Sequence, residues 1–259
     1  MSSDSGTVRF EQHGSTAIIT FDRPSARNAM TWAMYEALDA ALERVAKDET
    51  LRVAVLRGAG GHFVAGTDIA QFAKFETGDD GLSYERELET VVAKLESIRV
   101  ATIAAVEGYA AGAGLVLATA CDLRVATPNA RFGAPIAKTV GNCLSMINYA
   151  RLVETLGASR TKAMLITADF ITADEARAAG FVSRIMLPEA FDADLDALCA
   201  RVASHAPLTI QATKEAVRRI ANRPLVDGDD ILRRAYASSD FHEGVAAFIE
   251  KRQADWKGR

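Results

Sequence analysis

The sequence predicts an α/β protein with a parallel core and a helical C-terminal part, and three observations carry that prediction. Apolar strand-like runs alternate with amphipathic helical stretches through the first two thirds of the chain. Helical patterning then dominates from Phe191 onward. Between these regions Thr102 to Asp122, TIAAVEGYAAGAGLVLATACD, passes from a β-branched buried run into small residues and back into an apolar run. That stretch reads as strand, tight turn at Gly112-Ala113-Gly114, then buried helix from Leu115 to Cys121. Backbone at such a turn approaches a ligand closely, and the first NH groups of the helix have no intrahelical partner, so they can donate to an anion or a polarised carbonyl.

In chain order, Val8 to Asp22 alternates, turns at Gly14 and Ser15 and ends in the apolar run Ala17 to Phe21, the pattern of a hairpin. A loop, Arg23 to Met30, precedes a helix from about Thr31 to Asp48, with Asn28 or Thr31 as N-cap. Leu51 to Leu56 is a strand, and Asp68 can cap whatever follows the loop at Gly66. Gly78 to Gly81 closes that segment and Leu82 to Ile98 is a charged amphipathic helix. After the central stretch come a strand at Leu123 to Ala126 and a loop at Arg131 to Gly141. Helices follow over Leu144 to Leu156, Ser159 to Thr167 and Thr172 to Ala179, then a strand over Phe181 to Met186. The remaining helices break near Pro207 and Pro224. The organisation expected is a core over 8–195 and a helical oligomerisation region over 196–259.

Composition narrows the function. With 259 residues, 49% hydrophobic and 25% charged, the chain can bury a core without staples. A formal charge of -4 offers no basic footprint for nucleic acid. Cys121, Cys143 and Cys199 are widely spaced and form no CxxC pair, which indicates neither a disulfide framework nor a zinc site. Met1 to Thr7 has no cationic or apolar signal, and Val100 to Ala120 is interrupted by Glu107 and glycines, so a cytoplasmic protein without a membrane partner is expected.

Two glycine turns follow buried strands: Ala65-Gly66-Thr67-Asp68 and Gly112-Ala113-Gly114. Neighbouring parallel strands end on one edge, where ligands bind, so the free NH groups of both turns can converge on one oxygen. Such a pair is the design of an oxyanion hole.

Together RPSARNAM, HFVAGTDIAQF, AAVEGYAAGAGLVLATACDLRVAT, ARFGAP, ITADEARAAGFVSRIM and FHEGVAAFIEKRQADWKG resemble the enoyl-CoA hydratase/isomerase, or crotonase, superfamily from about Val8 to the C-terminus. The resemblance implies a spiral of ββα turns, a homotrimer often paired into a hexamer, and an acyl-CoA substrate in which coenzyme A is part of the substrate and no separate cofactor is needed. It implies that the thioester carbonyl sits between the NH groups of Thr67 and Ala113. By the same resemblance, the loop matching Arg27 to Met30, including Ala29, together with Ala65, Asp68 and Ile69, wraps the CoA nucleotide. Lys251 matches a basic position that reaches CoA phosphates from a neighbouring subunit, with a solvated helix charge as the plain alternative.

The chain departs from the family where hydratases carry two glutamates, because those positions are Val116 and Ile136. Syn addition of water needs one group to activate water and one to protonate the α-carbon. The resemblance therefore argues against ordinary hydratase activity and for a lyase or isomerase that holds a thioester enolate and moves protons with other side chains. Isomerisation, hydration or dehydration, and thioester hydrolysis all fit that intermediate, and a catalytically silent CoA-ester binding protein is the alternative. Glu89 is the carboxylate expected to replace the missing pair, since relatives with other chemistry place a pocket-lining histidine near it; the alternative is that Glu85, Glu89 and Glu96 form a solvated face. The polar run around Asn142, Cys143 and Ser145 falls where other relatives carry an acid. Of the four histidines, His62 stands nearest the Thr67 loop.

Overall fold

The computed structural model describes residues 5–221 and 229–255. The hairpin forms as β1 (Thr7–His13) and β2 (Thr16–Asp22), antiparallel with Phe10 opposite Ile19. Thr31 then caps α1 (Trp32–Lys47), its hydroxyl accepting the Met34 NH, and the chain returns through β3 (Val53–Gly58). A 3-10 turn over Ile69–Lys74, capped by the Asp68 carboxylate on the Ala70 NH, leads to α2 (Gly78–Ser97). Next come β4 (Ala101–Val106), β5 (Tyr109–Ala111), α3 (Ala113–Ala120), β6 (Leu123–Ala126) and β7 (Arg131–Gly133). The sequence continues as α4 (Ile136–Thr139), α5 (Met146–Leu156), α6 (Ala158–Thr167), β8 (Ile171–Thr172), α7 (Ala173–Ala178) and β9 (Arg184–Ile185). Four helices complete it: α8 (Phe191–Ala203), α9 (Pro207–Ala221), α10 (Asp229–Tyr236) and α11 (Ser239–Glu250).

The larger sheet has the order β1-β2-β3-β4-β6-β9, parallel from β2 onward, and the smaller has the order β5-β7-β8. Each later turn of the chain lays one strand in the large sheet and the next in the small one, as in β4 to β5 and β6 to β7; this is the expected ββα spiral. Earlier turns reach the second layer with single bridges, Met30 to Thr67 and Val64 to Ala110. Side chains alternate across β3 because successive strand residues face opposite ways. Ala54 and Leu56 join the core beneath α1, α2 and α3, whereas Val53 and Val55 pack with Phe191, Leu195 and Leu198 of α8. Residue 195, where the core was expected to end, thus lies inside a helix seated on the sheet.

Three local expectations change. Gly78 to Gly81 is the first turn of α2 and not a break, because the Asp80 carboxylate accepts the NH groups of Thr77 (2.7 Å) and Glu76 (2.9 Å) and holds the helix start. Arg131 to Gly141 is not one loop: Arg131–Gly133 pairs with β5, and Pro135 opens α4. Of Phe181 to Met186, only Arg184–Ile185 pairs with a neighbouring strand, β6. The break expected near Pro224 lies outside the described residues. No described helix is long and apolar enough to cross a membrane.

Candidate active site

The two glycine turns meet. Backbone bonds clamp the first of them between neighbouring segments: Met30 NH donates to Gly66 carbonyl at 2.8 Å, Asp68 NH to Met30 carbonyl at 2.8 Å, and Ala111 NH to Val64 carbonyl at 2.9 Å. Gly66 has φ +105° and Gly112 φ +51°, a region that disfavours side chains, and a Cβ built on Gly112 would stand 3.6 Å from the Gly66 Cα. Thr67 and Ala113, the residues after these glycines, are therefore brought to the same place. Ala113 opens α3, so its NH lies ahead of the intrahelical ladder. Neither it nor the Thr67 NH donates to an acceptor among the described residues.

Both turns line a cavity of about 560 Å³. Phe72, Leu88, Val116, Ile136 and Phe248 contribute apolar wall, and Glu85 contributes a carboxylate. Glu85 lies on α2 with 3% exposure. Its Oε2 accepts the Ser145 NH at 3.1 Å, and its Oε1 accepts the Tyr236 hydroxyl at 3.1 Å. Burial pushes its pKa up to about 7, and the hydrogen bonds from Ser145 and Tyr236 pull the other way without cancelling that effect. A carboxyl group near half ionisation at neutral pH can both take and return a proton.

Glu89, the carboxylate expected from sequence to face the pocket, does not line it. One turn further along α2, it meets Arg151 of α5 in a two-pronged pair at 2.5 and 2.7 Å, and Glu96 holds the same guanidinium at 2.7 Å. The reason is the helical stripe: Glu85, Leu88, Val92 and Leu95 are buried on one side, whereas Glu89 sits on its flank. Glu85 could have been found from that spacing.

Ser145 meets Glu85 through its backbone NH, and its buried hydroxyl lies beside the same carboxylate without hydrogen-bond geometry. Cys143 is half-buried, packs against the core and is not part of the cavity lining, while Asn142 beside it is. Arg27, Ala29, Ala65, Asp68 and Ile69 all line the cavity, with Asp68 paired to Arg23 at 2.9 Å and Arg27 stacked over Tyr109. Val116 and Ile136, far apart in the chain, both belong to the apolar wall. Lys251 terminates α11 in a left-handed conformation, exposed and outside the cavity lining, although Phe248 of the same helix reaches the cavity. His62 stacks on Tyr109 and accepts its NH, also outside the lining.

In the sequence Tyr236 reads only as one of a staggered apolar set, with Leu232, Val245 and Phe248, that packs against the core or a neighbouring subunit, and the two hydroxyl partners of Thr67 have no reading there. The Thr67 Oγ1 bonds to the Tyr35 hydroxyl at 2.6 Å and to the Tyr84 hydroxyl at 2.7 Å, which fixes the turn from its side-chain end.

The sequence model of the family described as Enoyl-CoA hydratase/isomerase matches residues 11–259. The chain is 36% identical over 251 residues to 2,3-dehydroadipyl-CoA hydratase of Escherichia coli K12, covering 93% of this chain and 95% of that one. A crystal structure of methylmalonyl-CoA decarboxylase complexed with 2S-carboxypropyl-CoA superposes with a TM-score of 0.89 at 25% identity, covering 100% of both chains. An enoyl-CoA hydratase/carnithine racemase from Magnetospirillum magneticum does so with 0.80 at 28% identity, covering 97% and 96%. The chain belongs to the enoyl-CoA hydratase/isomerase, or crotonase, family.

Proposed function

We propose that the protein forms and quenches the enolate of an acyl-CoA thioester, with the NH groups of Thr67 and Ala113 as oxyanion hole and Glu85 as the group that moves the proton. The observation that carries this reading is the contact of two glycine turns, each presenting an NH, in a cavity whose buried carboxylate is Glu85. In the forward step the ionised Glu85 takes the α-proton, the C–H electron pair passes into the C–C–O system, and the thioester oxygen gains negative charge. That charge falls between the two NH donors, where losing one typically costs about 3 to 4 kcal/mol of transition-state stabilisation. Protonated Glu85 then returns the proton to carbon. Val116 and Ile136 stand where hydratases of the family carry glutamates, so the chemistry rests on one carboxylate. Arg27, Ala29, Ala65, Asp68 and Ile69 hold the CoA portion, and no cofactor beyond the CoA of the substrate is called for. The assembly proposed is a homotrimer or a pair of trimers, supported by the exposed Leu208, Val217 and Ile220 of α9, with Lys251 offered to a neighbour's CoA phosphates.

The test is exchange of the α-protons of butyryl-CoA with D2O, followed by NMR. Exchange should be enzyme-dependent and fall by roughly 10²-fold or more in Glu85→Gln. Exchange unchanged in that variant would remove Glu85 from the mechanism. Hydration of crotonyl-CoA at about 10 per second, the turnover of ordinary enzymes, and insensitive to Glu85→Gln would overturn the single-carboxylate reading.

A second reading is decarboxylation of a malonyl-type thioester. The apolar wall of Val116 and Ile136 supports it, since a carboxylate stripped of water there is destabilised relative to the spread charge of an enolate. The likeness to methylmalonyl-CoA decarboxylase supports it too. Here the bond to the carboxylate carbon breaks, CO2 leaves, its electron pair enters the same enolate, and Glu85 acts only as acid. Release of CO2 from methylmalonyl-CoA separates the two readings.

A further inference from the structure

The carboxylate of Glu85 is held by a residue that arrives from the far end of the chain. Tyr236 of α10, separated from Glu85 by 151 positions, has 0% exposure and donates its hydroxyl to Glu85 Oε1 at 3.1 Å. The same hydroxyl accepts Asn142 Nδ2 at 3.0 Å. A tyrosine has one proton and an ionised carboxylate has none, so the direction of both bonds is set, and it is the amide NH2 of Asn142 that faces Tyr236. With the Ser145 NH on Oε2, each oxygen of Glu85 has one fixed donor.

The seat for this tyrosine is cut into α2. A Cβ on Gly81 would stand 2.0 Å from the Tyr236 ring, and one on Gly78 would stand 2.5 Å from the Arg233 Cα. Two glycines on one face of α2 thus let the backbone of α10 lie against it one turn before Glu85. Ion pairs Arg86–Asp229 at 2.8 Å and Arg233–Asp79 at 3.0 Å close the rim, and the Tyr236 ring packs on Phe241 at 4.9 Å and Phe75 at 6.2 Å.

We propose that Tyr236 is a positioning residue for Glu85, and that the site is complete only when α10 is docked in the glycine groove of α2. The proposal rests on the reading of Glu85 as the proton carrier. Tyr236 touches the carboxylate and not the substrate; its role is to hold one oxygen in place and to favour the ionised form. The titratable groups that face this cluster are Tyr35 on α1, Tyr84 on α2, Tyr149 on α5 and Cys143 ahead of α5. Among the described residues the Arg151 guanidinium donates to Asn148, Glu89 and Glu96.

The experiment is a pH titration of the free enzyme with 13C-labelled glutamate carboxyls, assigned through Glu85→Gln, alongside the pH profile of butyryl-CoA exchange. Net hydrogen bonds to charged groups and the energy of a pKa unit are of similar size, so Tyr236→Phe should raise the Glu85 midpoint by about one pH unit. Exchange at pH 7 should fall about fivefold, the loss of ionised Glu85 that a one-unit rise from a midpoint of about 7 produces, and recover at higher pH, whereas a merely structural loss lowers it equally at every pH. Gly81→Ala, which keeps the hydroxyl but displaces the ring, should move the midpoint the same way. Asn142→Ala should do so by less, and serves as the readout if Gly81→Ala does not fold. A midpoint unmoved in Tyr236→Phe overturns the proposal even where Glu85→Gln abolishes exchange. A shifted midpoint with exchange insensitive to Glu85→Gln leaves Tyr236 as the holder of Glu85 and overturns the mechanism.

Discussion

The two halves of the cavity are built on different principles. The half proposed to meet the carbonyl is backbone: two glycine turns, pressed together and tied by main-chain bonds to Met30 and β5, carry NH groups that depend little on which side chains follow. The half proposed to meet the proton is side chain, gathered from α2, from the segment before α5 and from α10. The first half is fixed by strand order and φ angles. The second is fixed by the docking of two helices and of the segment that leads into a third.

The sharpest way to break this contrast is to disturb the backbone half without touching its donors. Gly114→Val places a Cβ 2.0 Å from the Val64 carbonyl, so α3 must lift and carry the Ala113 NH away; exchange of butyryl-CoA should drop by about 10² to 10³-fold, the effect of losing one oxyanion donor. Retained activity would show that the second donor lies elsewhere. On the side-chain half, Glu89→Gln should leave the exchange rate within about twofold and lower stability by roughly 1 to 3 kcal/mol in urea unfolding, because Arg151, 10% exposed, loses a charged partner. A large rate loss would return Glu89 to the site.

The ionisation of Glu85 gives a third comparison. Its folded-state pKa of about 7 lies above the ordinary 4.5, so the folded protein keeps a proton that the unfolded chain releases as pH rises between those values. Stability is therefore fullest below about pH 4.5 on this group's account and declines through pH 7, by about 3 kcal/mol at most. Urea midpoints from pH 5 to 8 should fall in the wild type and flatten in Glu85→Gln. Thr67→Val takes the shared partner from the Tyr35 and Tyr84 hydroxyls but keeps the NH; it should cost about 1 to 3 kcal/mol of stability and little of the intrinsic rate. The smallest effect belongs to His62→Gln, outside the cavity, within about twofold in rate.

The backbone half was legible in the sequence because glycines, strand runs and caps act locally: Thr31 and Asp68 cap where their neighbours' patterns place them, and the turns at Gly66 and Gly112 follow their strands. The side-chain half was legible only in part. Glu85 shares a period with Leu88, Val92 and Leu95, a signal present in the chain and outweighed by the analogy that favoured Glu89. For Tyr236 the local pattern signals only apolar packing, because its hydrogen-bond partner lies 151 positions away and its seat is made by the missing side chains of Gly78 and Gly81. The short pairings of β7 and β9 depend on strands already in place, which periodicity within Arg131 to Gly141 or Phe181 to Met186 does not reveal.

The position of Tyr236 near the end of the chain also sets an order of events during synthesis. Both glycine turns leave the ribosome long before α10 does, so a nascent or prematurely ended chain that stops ahead of residue 229 carries the turns without the residue whose hydroxyl holds Glu85. Such a chain lacks one of the two hydrogen bonds that hold the Glu85 carboxylate, and completion of translation supplies it.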